Sequence, residues 1–203
     1  GFFRALVRNL ATAMGTTGAW VTEYLPARKR LRAYAFWLEG GFIEDFEYPI
    51  AGTACEPVVE TKRLVHIPDR LVELYPHDPE EVPLPVRAVS YLGVPLLDTD
   101  GEVMGHLSVL DTKPFPPVQR LLHLFEIFAA RAAAEQRRLR QEATVRSREE
   151  ELSARLDGAM DAVLVLDEDG ALRRANPAAE RLFGGPEETR VGRNFRELLT
   201  AES

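Results

Sequence analysis

The chemically most distinctive residue in this 203-residue sequence is its single cysteine, Cys55. It lies between Thr53 and Glu56, whose three-residue spacing predicts a capping box at the start of a helix. A helix dipole favours the thiolate form of a cysteine in its first turn. Such a residue suits redox sensing, a thioether link to a tetrapyrrole or metal binding. The alternative is a small buried thiol that packs as a hydrophobic side chain.

The predicted helix start also offers free backbone N–H groups, which suit a carboxylate or a phosphate. Three further ligand-binding candidates, Tyr91, His106 and Trp37, lie on predicted strands, where ordinary core packing is the alternative. A nucleophilic pair of Cys55 and His106 has no supporting motif. The histidines are too dispersed for a sequence-local metal site; they are His66, His77, His106 and His123.

Composition and charge limit the classes of function. The sequence is 45% hydrophobic and 28% charged, which is typical of a soluble globular protein, and no apolar run approaches the roughly 20 residues of a membrane span. A net charge of −7 with scattered basic residues argues against a nucleic-acid surface. A single cysteine suits the reducing cytoplasm. No Gly-rich phosphate loop, paired-histidine kinase box or nucleophile elbow is present, so we expect no catalytic centre.

Hydrophobic periodicity predicts a helix followed by an antiparallel meander and a proline-rich excursion. The predicted elements are a helix over 2–14, strands over 19–25, 32–38 and 42–48, an excursion over 49–85, and strands over 89–97 and 102–111. The turn at 98–101 has the Asp and Gly residues of a tight hairpin, so the last two strands are expected to pair.

A long helix is predicted over 117–157, since residues 118–157 contain neither glycine nor proline. About 40 helical residues span roughly 60 Å. Its polar second half is unstable alone in water, which favours a parallel coiled-coil homodimer. After Gly158, two strands over 162–166 and 171–175 precede a helix that Asn176 is expected to cap.

Three stretches, 48–56, 90–96 and 101–111, resemble the GAF domains of bacterial sensor kinases and cyclic-di-GMP enzymes. The resemblance covers roughly 2–132. It implies an α+β fold in which helices pack on one face of an antiparallel sheet and a capped ligand pocket lies on the other. The proline-rich residues 52–85 would form the cap.

The stretches 166–170, 176–180 and 182–184 resemble the front half of a PAS domain. The expected organisation is therefore a GAF-like sensory domain over 1–116, a connector helix over 117–157 and a partial PAS-like α/β unit over 158–203.

The two resemblances imply a cytoplasmic sensory module of a bacterial signalling protein. A small ligand or a redox change in the GAF pocket would act through a dimeric helix on the PAS unit and on an output domain, a histidine kinase or a diguanylate cyclase. One alternative is a ligand-free dimerisation and spacer module with a filled core. Another is a Cys55-dependent enzyme, because some GAF relatives reduce methionine sulfoxide. The sequence identifies no cofactor: the signatures of cyclic-nucleotide and bilin binding are absent.

Overall fold

The computed structural model describes residues 1–76, 86–115, 118–183 and 189–196. The chain divides into two compact units, Gly1–Leu139 and Arg140–Ser203. No helix in the described ranges is long and apolar enough to cross a bilayer. The expected α+β class is confirmed, with an antiparallel sheet followed by a long helix.

The first unit is built on one antiparallel sheet. Its strands are β1 (Gly18–Leu25), β2 (Arg30–Leu38), β3 (Gly41–Ile43), β4 (Glu47–Pro49), β5 (Val65–Ile67), β6 (Ser90–Leu97) and β7 (Val103–Asp111). The order across the sheet is β3-β2-β1-β7-β6-β5, and β4 pairs with the far end of β2. The strand at the centre, β7, therefore bonds to both β1 and β6.

In the described ranges, four α-helices accompany this sheet: α1 (Phe2–Met14), α2 (Cys55–Thr61), α3 (Leu71–Leu74) and α4 (Gln119–Asp157). The buried positions of α1 recur every three or four residues, so one apolar stripe faces the sheet. Gly15, with φ 67°, ends α1 in the left-handed conformation that glycine adopts readily. Phe125, Ala129 and Ala132 of α4 join the same hydrophobic core. We call this side of the sheet the helix face.

The opposite side, which we call the cavity face, has its own hydrophobic core. Trp20, Phe36 and Tyr91 project from it and pack with residues of α2 and α3, which cover this face. The sheet thus separates two buried layers, and alternate residues along each strand contribute to one layer or the other.

Two irregularities depart from the predicted meander. The strand expected over 42–48 is divided into β3 and β4, because Asp45 adopts a left-handed φ of 51° between them. The second irregularity is a β-bulge in β2. Val21 of β1 pairs with Ala35 of β2 and the next residue, Thr22, pairs with Ala33, so Tyr34 of β2 is an extra residue. The bulge shifts the alternation of side chains along β2.

The second unit contains the final part of α4, the strands β8 (Leu164–Leu166) and β9 (Leu172–Ala175), and α5 (Pro177–Phe183). Asn176 caps α5, as predicted: its side-chain oxygen accepts the Ala179 N–H at 2.9 Å. The same oxygen accepts the Val163 N–H at 2.8 Å, and its amide group donates to Leu156 and Asp161 carbonyls. This one side chain ties together the end of α4, β8 and α5.

Candidate functional site

A cavity of about 40 Å³ lies on the cavity face, between the sheet and the helices α2 and α3. Large apolar side chains form most of its wall, chiefly Trp20, Phe46, Leu71 and Leu110. Five polar side chains complete the wall: Thr53, Tyr75 and a group of three, Tyr48, Cys55 and Tyr91, that come from separate elements and hydrogen-bond to one another. The site is thus an apolar chamber in which polar groups converge.

Tyr48, Cys55 and Tyr91 belong to one hydrogen-bonded cluster. Trp20 Nε1 donates to the Tyr48 hydroxyl at 3.0 Å, and that hydroxyl lies 3.3 Å from the Cys55 sulfur. From the other side, the Tyr91 hydroxyl donates to the same sulfur at 3.5 Å and lies 3.0 Å from Ser108 Oγ. Cys55 therefore sits between two tyrosine hydroxyl groups held by residues of β1 and β7.

Burial keeps this cluster uncharged. It raises the pKa of the Cys55 thiol, and it raises the pKa values of Tyr48 and Tyr91 well above their usual range. The thiolate form is consequently disfavoured, because desolvation of Cys55 outweighs its hydrogen bonds to Tyr48, Tyr91 and Thr53. Cys55 is a buried, protonated thiol, which matches the alternative interpretation of this residue.

The predicted capping box does not form. The Thr53 hydroxyl accepts the N–H of Cys55 at 3.3 Å, whereas a capping box would direct it to Glu56. The Glu56 carboxylate reaches back to the N–H of Gly52 at 2.9 Å and leaves Thr53 aside. At the start of α2 the N–H of Cys55 is thus bonded to Thr53 Oγ1, and the N–H of Glu56 donates to the Thr53 carbonyl at 3.1 Å, so both donors already have partners within the chain.

His106 is fully buried on the cavity face but lies behind Trp20, away from the cavity wall. The two rings meet edge to face with centroids 5.9 Å apart, and His106 Nδ1 lies 2.6 Å from the Thr22 hydroxyl. Burial lowers the His106 pKa to about 3, so the imidazole is neutral at physiological pH. His106, predicted as a ligand-binding residue, therefore does not line the cavity.

Trp37 lies on the helix face, where its ring packs edge to face on Phe42 with centroids 4.9 Å apart. Trp37, which was predicted as a ligand-binding residue, therefore does not line the cavity. Trp20, which was not among the predicted site residues, lines the cavity instead. It lies on the cavity face beside Phe36, its pairing partner in β2. Alternation along β1 places Trp20 and Thr22 on the same face of the sheet.

The remaining histidines are engaged in local contacts. His66 Nε2 donates to the Phe115 carbonyl at 2.8 Å, and His123 lies 2.7 Å from the side chain of Gln119. His77 lies outside the described residues. Among the residues that are described, no group of three or more His, Cys, Asp or Glu side chains could hold a metal ion.

The profile of the GAF domain family matches residues 1–135, two thirds of the sequence and the whole of the sheet and cavity described above. The chain belongs to the GAF domain family. A PAS fold matches residues 150–203, in the order that the sequence resemblances implied.

Solved structures with this fold include both receptors and enzymes. The GAF domain of a Coxiella burnetii phosphoenolpyruvate-protein phosphotransferase is 17% identical with a TM-score of 0.60, over 70% of this chain and 84% of that one. The PixJ GAF domain of Thermosynechococcus elongatus, in its blue-light absorbing form, is 19% identical with a TM-score of 0.53 (71% and 89% covered). Free methionine-R-sulfoxide reductase from Neisseria meningitidis is 16% identical with a TM-score of 0.52 (70% and 78% covered). No curated protein sequence matches the chain.

Proposed function

We propose that the chain is a sensory module of a cytoplasmic signal-transduction protein, whose GAF domain responds to a small uncharged molecule in the cavity. GAF and PAS domains are typical sensory modules, and they occur here in succession. The observation that carries the proposal is the cavity itself, an apolar chamber into which the polar groups of Tyr48, Cys55 and Tyr91 converge.

The dimensions and charge of the cavity define the class of ligand. One water molecule needs roughly 10–15 Å³ of such space, so about 40 Å³ accommodates on the order of three non-hydrogen atoms. A nucleotide or a tetrapyrrole would require the cap to open. The groups of Tyr48, Cys55 and Tyr91 are uncharged near neutral pH, and burial of an ion beside them would be costly. A small alcohol, amide or similar molecule fits both conditions.

The signal would leave through α4, a helix of 39 residues. Residues 141–150 of this helix are exposed throughout, and Val145 and Leu152, seven residues apart, are 55% and 59% exposed. An isolated polar helix of this kind is marginal in water, which supports a parallel homodimer through α4. The output domain of the parent protein would be a histidine kinase or a diguanylate cyclase.

Sedimentation velocity at micromolar concentration tests the dimer. A dimer that becomes a monomer when Val145 and Leu152 are both changed to glutamate is the expected result. A strictly monomeric wild-type chain would exclude the coiled-coil connector.

A second candidate is a ligand-free dimerisation and spacer module. The small volume of the cavity favours it, as does the fact that the groups of Tyr48, Cys55 and Tyr91 already bond to one another. A thiol-dependent enzyme is less favoured, because Cys55 is the one cysteine of the sequence and burial opposes its ionisation.

Native and denaturing mass spectrometry of the purified protein separates the first two candidates. Leu71→Phe fills the cavity from α3, and Leu74→Phe is its matched control, since Leu74 lies on the same helix but is 56% exposed. We expect a non-covalent mass, lost on denaturation, on the wild type and on Leu74→Phe but not on Leu71→Phe.

Ethanol serves as a probe if the purified protein is bare. It should shift the Leu110 methyl resonances of the wild type and of Leu74→Phe, and leave those of Leu71→Phe unchanged. A bare mass together with no ethanol response in any of the three proteins would favour the spacer.

A further inference from the structure

Thr22 occupies the position where β1 and β7 cease to pair. The ladder between these strands ends at Val21 and Leu107, and the β-bulge in the pairing of β1 with β2 lies at the same point, between Val21 and Thr22. Beyond it, the backbones approach so closely that a Cβ at Gly105 would lie 1.8 Å from the Thr22 carbonyl oxygen. Only glycine at position 105 allows the two backbones to come this close, so the position of β7 relative to Thr22 is closely fixed.

Thr22 makes contacts on both faces of the sheet. Its hydroxyl lies 2.6 Å from His106 Nδ1 on the cavity face and accepts the His106 backbone N–H at 3.2 Å. Its carbonyl accepts a long hydrogen bond of 3.4 Å from Gln136 Nε2, which belongs to α4 on the helix face. Gln136 also donates to the Met104 carbonyl at 2.9 Å. Thr22 thus touches a cavity-face residue through its side chain and α4 through its backbone.

The connection continues to the cavity. The His106 ring packs against Trp20, and Trp20 donates to Tyr48 in the cavity wall. A continuous series of contacts therefore runs from Tyr48 through Trp20, His106 and Thr22 to Gln136.

Two atoms in this series are buried without a hydrogen-bond partner among the described residues: His106 Nε2 and Gln136 Oε1. Buried polar atoms are normally satisfied, and an unpaired one destabilises the arrangement that contains it. Both flank Thr22, one on each face. A small displacement around Thr22 therefore breaks fewer hydrogen bonds than it would in a fully bonded core. This makes the region suited to a conformational change.

We propose that Thr22 is a positioning residue that couples the cavity to α4. A displacement of Trp20 at the cavity wall alters the His106–Thr22 contact, and the Thr22 backbone carries the change to Gln136 on the opposite face. The use of this coupling in signalling rests on the proposed function, whereas the coupling itself is measurable without a ligand.

Tyr48→Phe provides the perturbation, since it removes the acceptor of the Trp20 N–H and keeps the ring. The readout is amide hydrogen exchange of residues 125–136 in α4. We expect Tyr48→Phe to change these exchange rates by about twofold or more in the wild-type background. In Gln136→Met, which keeps the chain length without the amide, the response should vanish. Gln141→Met, an exposed position on the same helix, should respond as the wild type does.

A second pair of variants acts at Thr22 and decides the matter if Gln136→Met does not fold. Thr22→Val removes the hydroxyl and should abolish the response, and Thr22→Ser restores the hydroxyl and should retain it. If packing were the cause, Thr22→Ser, which loses a methyl group, would disturb the response at least as much as Thr22→Val, which keeps the shape of the side chain.

The coupling is overturned if α4 does not respond to Tyr48→Phe, or if it responds equally in the Gln136→Met and Thr22→Val backgrounds. A bare mass and no ethanol response, with this hydrogen-exchange response intact, would reject the ligand and leave the coupling standing.

Discussion

The phenol ring of Tyr91 lies directly over Gly93, two residues further along β6. A Cβ at position 93 would come within 2.1 Å of the Tyr91 hydroxyl and 2.6 Å of its ring carbon Cζ. The space that a side chain would need at Gly93 is therefore filled by Tyr91, whose hydroxyl in this orientation contacts Cys55 and Ser108. A glycine thus positions one of the polar groups of the cavity.

Gly93→Ala should displace Tyr91 and destabilise the GAF domain by about 1–3 kcal/mol, the usual effect of overpacking a core. Chemical denaturation measures the free energy of unfolding. The same substitution in a Tyr91→Leu background should have a smaller effect, since the ring is then gone. Equal effects in both backgrounds would mean that Tyr91 is not the obstacle.

Gly105→Ala should be more damaging, by about 3 kcal/mol or more, because the new Cβ meets the Thr22 backbone and not a mobile side chain. Gly41→Ala is the matched control: its Cβ would find its nearest neighbour, the Leu38 carbonyl oxygen, at 3.8 Å. Thermal unfolding of the two variants should separate them clearly. A near-normal Gly105→Ala protein would show that β1 and β7 can part without cost.

Because of His106, the free energy of unfolding should decrease as the pH is lowered. Its pKa is about 3 in the folded state and about 6.5 when unfolded, so below pH 6.5 the unfolded state binds a proton that the folded state refuses. The free energy of unfolding should therefore decrease by roughly 1.4 kcal/mol for each pH unit below about 6.

Urea unfolding at several pH values between about 7 and 5 measures this slope. His106→Gln should flatten it, and His66→Gln, at a partly exposed site, should leave it in place. An unchanged slope in His106→Gln would assign the acid sensitivity to other groups.

Cys55 should be unreactive in the folded protein, because its side chain is 3% exposed and burial raises its pKa. Alkylation by iodoacetamide should be on the order of 100-fold slower than for an exposed thiol, and should require local opening. The matched reference is Val145→Cys in a Cys55→Ser background, which places the thiol at an exposed site. Rapid alkylation of native Cys55 would restore the redox-sensor hypothesis.

Asn176→Ala should destabilise the second unit by about 1–3 kcal/mol, since it removes the hydrogen-bond partner of one buried and several partly buried backbone groups. Hydrogen exchange of β9 amides should report the change while those of β7 stay protected. Arg181→Ala, at an exposed position of α5, is the control and should behave as the wild type. Equal behaviour of the two variants would deny Asn176 its connecting role.

Local patterns predicted the helices and strands closely. The helix expected over 2–14 is Phe2–Met14, and the strand expected over 102–111 is Val103–Asp111. These boundaries depend on side-chain periodicity and on turn residues, which are local properties of the sequence. The bulge at Tyr34 was not predictable in this way, because it depends on the register between β1 and β2.

The site was accessible to sequence reasoning only in part. Cys55, Thr53 and Tyr91 do lie at the cavity, but Trp20 and Tyr48 reach it through strand pairing that no short motif records. The sequence left the ionisation of Cys55 open for a related reason. Helix position is visible in the sequence, whereas burial by side chains from distant segments is not.

The exposed stretch 141–150 of α4 also affects how such proteins can be assembled. The side-chain bonds of Thr144 and Arg146 stay within one turn of the helix, to Arg140 and Glu150. A gene fusion with its junction in this stretch would exchange one sensor for another without cutting through a hydrophobic core. Insertions of seven residues there would preserve the phase of the helix surface, so spacing between modules can vary in steps of two turns.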